Sequence, residues 1–182
     1  MIFAPMPQDE FTRLRALHAS NLLDTQPDVR FDCITQFAAN TLDAPICLIT
    51  LIDISRQWPK STYGINKIEI PRKISICAHA ICEIKSTNLK DRIYEIYDTK
   101  SDIRFFDNPQ VAGKPWIRSY ISYVLQSESG KNIGTLCLFD TSPRIFTFHE
   151  RRMVSILGAM VENIIYGHHF STSIEYELNK LP

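Results

Sequence analysis

Residues 45–63 read PICLITLIDISRQWPKSTY. From Ile46 to Ile52 the run is apolar apart from Thr50 and rich in β-branched side chains. Such a run predicts a central strand covered on both faces rather than one with a wet side. The polar SRQW that follows is short, so the stretch from Gln57 to Tyr63 is expected to turn back as a second strand. Pro59 cannot donate to a sheet ladder, which places it at an edge or a bulge. Two neighbouring strands joined this tightly are antiparallel.

Working outward, helical spacing appears on the N-terminal side. Phe11, Leu14, Leu17, Leu22 and Leu23 suggest a first helix begun at Asp9 or the prolines before it. Phe31, Ile34, Phe37, Ala38 and Leu42 recur at three- and four-residue steps and predict a second, amphipathic helix. On the C-terminal side, residues 64–75 are irregular. ICAHAICE (76–83) reads as one or two turns of helix with Ser75 as its N-cap. LKDRIYEIYD (89–98) alternates like a strand with one wet face, and TKSDIRFFDNPQVAG (99–113) holds a short apolar helix ending at Gly113. WIRSYISYVLQ (116–126) and NIGTLCLFD (132–140) are strands joined by hairpin-turn residues. A closing helix is predicted over 148–168, with Met153, Ile156, Leu157, Met160, Val161, Ile164 and Ile165 as its apolar stripe. Glu162 lies off that stripe and is expected to matter little for stability. Asp53 and Asp140 are expected to start turns, and Arg104 to pair with Asp102 or Asp107.

Together these elements describe one α/β domain of the α+β type, a mostly antiparallel sheet with helices packed on it. It spans residues 1–182, with a core at about 10–166 and a tail or helix extension at 167–182. Twenty basic residues balance twenty acidic ones, so nothing in the charge favours nucleic acid or an anionic membrane. The longest apolar run, APICLITLI (44–52), is far short of the ~20 residues of a spanning helix, and the N-terminus lacks the pattern of a signal peptide. A cytoplasmic location is expected, and the five scattered cysteines read as free thiols of a reducing compartment.

Five segments carry a resemblance in order along the chain: LLDTQPDVRFDCITQFAA (22–39), LIDISRQWPKS (51–61), PRKISICAHAI (71–81), DIRFFDNPQVAG (102–113) and IGTLCLFDTSPRIFT (133–147). Over about residues 10–161 the chain resembles a GAF domain, of the bacterial subgroup usually found with sensor kinases and diguanylate cyclases. The resemblance implies a six-stranded antiparallel sheet with the N- and C-terminal helices on one side. On the other side it implies a small-molecule pocket roofed by the crossing segments. It implies a sensing or signal-transducing module that acts by moving its terminal helices; family members usually feed a catalytic output domain, and this chain is expected to act without one of its own. Residues expected to contact the ligand are Trp58, Ser75, Cys77, His79, Tyr120 and Ser122; no catalytic residue, metal or cofactor is expected. The strand often written Tyr-Ala-Gly-Ala-Pro-Leu in the subgroup is YISYVL (120–125) here; Ser122 and Val124 stand where Gly and Pro are common and Tyr123 where Ala is common, and bulkier residues there would shrink or reshape the pocket.

Other readings attach to CAHAIC (77–82). As a zinc site it lacks a fourth ligand nearby, and on a helix Cys77 and His79 point about 200° apart. Free methionine-(R)-sulfoxide reductases are thiol enzymes of the same fold, but Cys77 alone matches one of their cysteine positions. Cys137, between Leu136 and Leu138, reads as packed core. A bilin-binding Cys-His pair is interrupted by Ala78, and NKIEIPRK (66–73) shares only two letters with the cyclic-nucleotide signature. A third reading is a ligand-free scaffold used only for dimerisation. The expected partners are an unidentified small molecule, a second copy paired through the first and last helices, and a signalling protein. The apolar residues counted toward that dimer face are Phe11, Leu14, Leu17, Leu22 and Leu23, with Ile174, Tyr176 and Leu178 at the tail.

Overall fold

A computed structural model describes residues 1–167 of the chain. The tail residues His168, His169, Ile174, Tyr176 and Leu178 lie outside the described residues. Five helices and six strands alternate as α1 (Glu10–Ala19), α2 (Val29–Thr41), β1 (Ile46–Ile52), β2 (Arg56–Tyr63), β3 (Ile70–Pro71), α3 (Ile76–Glu83), β4 (Ile93–Ile96), α4 (Pro109–Ala112), β5 (Ser119–Gln126), β6 (Asn132–Asp140) and α5 (Phe148–Tyr166). The strands form one antiparallel sheet in the order β3-β2-β1-β6-β5-β4.

β1 and β6 occupy the middle and are buried on both faces. Alternation sorts their side chains. Cys47, Ile49, Leu51, Leu136 and Leu138 join α1, α2 and α5 in one core, with Leu17, Phe31, Ala38, Val154 and Leu157. Ile46, Leu48, Ile52, Cys137 and Phe139 join α3 and the crossing segments in a second core on the opposite face. The terminal helices therefore share one side of the sheet and the crossings roof the other.

Pro59 sits at a bulge. The register steps from Ile49↔Ser61 to Thr50↔Pro59, and Lys60 is left without a partner across the ladder. The extra residue reverses which face every residue before it takes. Lys60 is buried, and its Nζ donates to Thr25 Oγ1 at 2.7 Å and to the Gln26 carbonyl at 2.8 Å.

Local signals explain the element ends. The Asp28 side chain accepts from the Arg30 amide to start α2. Thr147 and Glu150 form a reciprocal capping box at the start of α5, which ends at Gly167 in a left-handed conformation that glycine adopts without penalty. The turn roles expected for Asp53 and Asp140 are present, each carboxylate accepting from an amide just after it. Four segments are shorter than the sequence pattern suggests. α1 stops at Ala19, β4 holds only four residues, the helix in 99–113 is confined to Pro109–Ala112, and β5 begins at Ser119 rather than at Trp116. Ile103 and Phe106, earlier in the same segment, lie in turns and are exposed.

Glu162 corrects the reading of α5. Its carboxylate accepts from the Gln126 amide at 2.6 Å, from Arg92 Nη1 at 2.7 Å and from Tyr123 Oη at 3.4 Å. A charge off the apolar stripe is thus a tie between α5 and β5, and burial raises its pKa. The fully buried part of the stripe is Val154, Leu157, Gly158 and Val161; Met153, Met160, Ile164 and Ile165 are half-buried at its flanks.

Four outcomes follow for stability, measured by thermal and denaturant unfolding. Leu157→Ala should cost about 2–5 kcal/mol, and Glu162→Ala about 3–5 kcal/mol because Arg92 is left buried without its partner. Ile145→Ala, at a side chain 76% exposed, should leave the midpoint unchanged. Gly134→Ala should prevent folding, since its added Cβ would lie 2.0 Å from the Thr50 carbonyl oxygen on the neighbouring strand. A normal melting curve for Gly134→Ala would contradict the close approach of β1 and β6.

Candidate functional site

The site is built around α3. Ser75 starts the helix by accepting from the Ala78 amide, and its own hydroxyl donates to Gln57 Oε1 on β2. Every residue from Ile76 to Cys82 is buried. A short helix can be covered all round only if something packs on both its sides. The sheet covers the inner side, and Ala78 and Ala80 are fully buried in the same core. The N-terminal segment covers the outer side.

On the inner side, Cys77 points at the sheet. Its Sγ lies 3.6 Å from Cys137 Sγ and accepts from Tyr120 Oη at 3.3 Å. Thr50 and Thr135 face each other beside it, with 3.2 Å between their hydroxyls. Burial penalises the Cys77 thiolate, yet the Cys137, Thr135, Tyr120 and Thr50 groups beside the sulfur, with the Tyr120 hydroxyl donating to it, hold its pKa below the ordinary thiol range. Burial pushes Cys137 well above that range, and the neighbouring Cys77 pushes it further. Ser122 pairs across the ladder with Cys137 and is fully buried on the same face, its hydroxyl 3.5 Å from the Tyr94 carbonyl.

On the outer side, His79 and Cys82 face the segment 2–5. His79 Nε2 lies 3.1 Å from the Ile2 carbonyl oxygen, which can only accept, so Nε2 carries the proton. Cys82 Sγ donates to the Pro5 carbonyl at 2.9 Å. The Ile2 amide donates to the Arg104 carbonyl, and Ala4 packs against the core beneath. The His79 ring meets Phe105 edge-on, with centroids 4.8 Å apart. Burial lowers its pKa, and the charge of Arg104 lowers it further, so the imidazole is neutral at pH 7. Arg104 is held by a forked pair to Asp102 and donates to Tyr94 Oη at 2.8 Å. Of the two expected carboxylate partners, Asp102 is the one it uses.

The six residues expected to contact a ligand divide into four groups. Cys77, Tyr120 and Ser122 come together beneath α3. His79 lies on the far side of the same helix, as the angular spacing requires. Ser75 is on this face, but its hydroxyl is committed to the helix start and to Gln57. Trp58 is a correction: it packs in the core on the helix side of the sheet, because the bulge at Pro59 reverses its face and turns Gln57 toward α3 instead. Tyr123 is a second correction. It faces α5, where it occupies the space that a side chain at Gly158 would need; a Cβ there would lie 2.1 Å from the ring. Its bulk therefore shapes helix packing, while Tyr120 and Val124 fill the face beneath α3.

Cys137 lies in packed core, as its strand neighbours suggested, and it also approaches Cys77 through the fold, which the sequence left open. Strand parity held the signal: Leu136 and Leu138 face the helices, so the residue between them faces the opposite way. The sequence CAHAIC is split between two sides of one helix. Among the described residues, no group of three His, Cys, Asp or Glu side chains is placed to hold a metal ion.

The chain is 36% identical over 144 residues to a cyclic di-GMP phosphodiesterase of Pseudomonas aeruginosa. That match takes in 79% of this chain and 23% of the relative, so the chain spans under a quarter of the relative's length. Among solved structures, the GAF domain of an Acinetobacter phosphoenolpyruvate-protein phosphotransferase superposes with a TM-score of 0.60 at 16% identity, covering 93% of this chain and 99% of that one. A type II free methionine-R-sulfoxide reductase from Thermoplasma acidophilum superposes with a TM-score of 0.59 at 14% identity, covering 84% and 96%. At such identities these two likenesses establish the fold alone. The model of the GAF domain matches residues 26–165, from the loop before α2 to the last turn of α5. Matched over most of its length and folded as that family folds, the chain belongs to the GAF domain family.

Proposed function

We propose that this domain is a regulatory input module that senses a small molecule at α3 and transmits its state through β5 to α5. The observation that carries the reading is the two-faced role of β5. Tyr120, Ser122 and Val124 face α3, and Ile121, Tyr123 and Leu125 face the terminal helices. The Gln126 amide at the end of the same strand donates to Glu162 of α5. A shift of β5 caused at Tyr120 would be felt by α5 through a buried, charge-assisted hydrogen bond, which is stronger than a neutral one.

Ligand entry is proposed at the outer side of α3, where the chain's own residues 2–5 lie. The Ile2 carbonyl supplies the acceptor that a ligand would offer to His79. The 36% relative is named a cyclic di-GMP phosphodiesterase. We therefore place the output of this module in the same kind of signalling, with the domain adjusting a catalytic unit rather than acting as one. The thiol-reductase reading gains a second sulfur from Cys137. However, both sulfurs are fully buried, which speaks against direct attack on a substrate the size of methionine sulfoxide.

The proposed dimer rests on less of the N-terminus than the sequence suggested. Leu17 is fully buried in the chain's own core, and Leu14, Leu22 and Leu23 pack against that core, so only Phe11 of that group stays exposed. Pairing through α5, whose Met153, Ile156, Met160 and Ile164 are half-buried, is the corresponding proposal.

Hydrogen–deuterium exchange tests the transmission. His79→Ala, or Ile2→Pro, which removes the amide donor to Arg104, should speed exchange in α3 and in the C-terminal half of α5. Faster exchange in α3 with α5 unchanged would refute the route through β5. A thermal-shift panel of metabolites that includes cyclic di-GMP should find a stabiliser of the wild-type chain whose effect His79→Ala removes. Light scattering at micromolar concentration should give twice the chain mass; a strict monomer would remove the α5 pairing.

A further inference from the structure

The five cysteines occupy distinct environments. Cys33 is exposed on α2. Cys47 lies in the core on the helix side, where burial pushes its thiol up. Cys82 donates to a backbone carbonyl on the outer side of α3, and burial raises it too. Cys77 and Cys137 differ from all of these. They come from segments 60 positions apart, yet their sulfurs are 3.6 Å from each other in the second core. Tyr120 and the Thr50–Thr135 pair surround them with hydroxyls in an otherwise apolar layer. Nothing in the regulatory reading uses this thiol pair.

We propose that Cys77 and Cys137 form a reversible oxidation site, converted to an internal disulfide by a small hydroperoxide. The Cys77 thiolate attacks the nearer peroxide oxygen. The O–O bond breaks, the departing oxygen takes up a proton and leaves as water or an alcohol, and Cys77 becomes a sulfenic acid. Cys137 then attacks the Cys77 sulfur. The S–S bond forms, the S–O bond breaks, and hydroxide leaves with the Cys137 proton as water. In total the two thiols and one hydroperoxide give one disulfide, one alcohol (or water) and one water. Two electrons pass from sulfur to the peroxide.

The geometry suits this chemistry in three respects. The sulfurs must close from 3.6 Å to about 2.05 Å, a movement within reach of side-chain rotation and a small shift of α3. The Tyr120 hydroxyl, 3.3 Å from Cys77 Sγ and donating to it, favours the thiolate, the form that attacks. Full burial restricts the reaction to an oxidant small enough to enter when α3 and residues 2–5 open locally. The product would fasten α3 to the central strand β6, directly beneath the helix face that holds His79.

The test is peptide mapping of the whole chain after hydrogen peroxide treatment and alkylation without reductant. The expected result is a peptide pair joined through Cys77 and Cys137, two hydrogens lighter than the free peptides together, and separated by dithiothreitol. Cys82→Ala should keep the link, which distinguishes it from a bond between Cys77 and Cys82. Cys137→Ser should lose the link and leave Cys77 as a sulfenic acid trapped by dimedone. If Cys137→Ser does not fold, the maps of wild type and Cys82→Ala decide the matter. Free Cys77 and Cys137 at a peroxide dose that has fully oxidised exposed Cys33 would overturn the proposal, as would links confined to Cys33 or to Cys82.

Discussion

The two central strands, β1 and β6, are covered on both faces, and the rest of the molecule depends on that double burial. A strand with one wet face can tolerate a slip or a stray side chain. A strand with two dry faces must place every residue in one core or the other. Here each odd or even position is committed: Ile49 and Leu136 to the helices, Leu48 and Cys137 to the roof. Gly134 makes the commitment tighter, since the backbone of β1 passes where a side chain would begin. Burial on both sides supplies the hydrophobic stabilisation of the domain and also fixes which groups meet beneath α3.

The same alternation gives β5 its two roles. It carries Tyr120 and Ser122 to the roof and Tyr123 to α5, and its last amide donates to Glu162. The tie between sheet and closing helix is therefore polar as well as apolar. Apolar contacts are tolerant of small displacements, whereas a buried carboxylate with three donors has one good position. The absent side chain of Gly158 lets the Tyr123 ring lie against the helix axis and brings that carboxylate into reach.

α3 joins the two layers of the roof. A buried helix of eight residues presents opposite sides to different neighbours, and CAHAIC is read twice. Its inner side delivers one thiol to the sheet; its outer side delivers an imidazole and another thiol to the backbone of residues 2–5. The side chains of the motif therefore divide between two environments. The motif is a divider between a closed polar layer and a covered surface, and an event on one side has only one helix to cross.

How far the sequence reaches can be seen residue by residue. Composition and periodicity determined the order of the main elements, the antiparallel hairpins and the Ser75 cap, because each of these is set by residues close in the chain, while Pro59 was compatible with either an edge or a bulge. The short β4 and the confinement of α4 were less legible, since neighbouring packing overrides weak local preference in short segments. At the site, the 200° separation of Cys77 and His79 on a helix was readable in advance. The approach of Cys137 and the removal of Trp58 to the other face were not, although parity and the proline both pointed at them. Which strand lies under α3, and on which side of a bulge a residue falls, are decided by pairings between distant segments. The meeting of Cys77 with Cys137 and of Glu162 with Arg92 therefore belongs to the tertiary structure: local sequence sets the direction in which a side chain leaves its own element, and only long-range packing sets what stands opposite it.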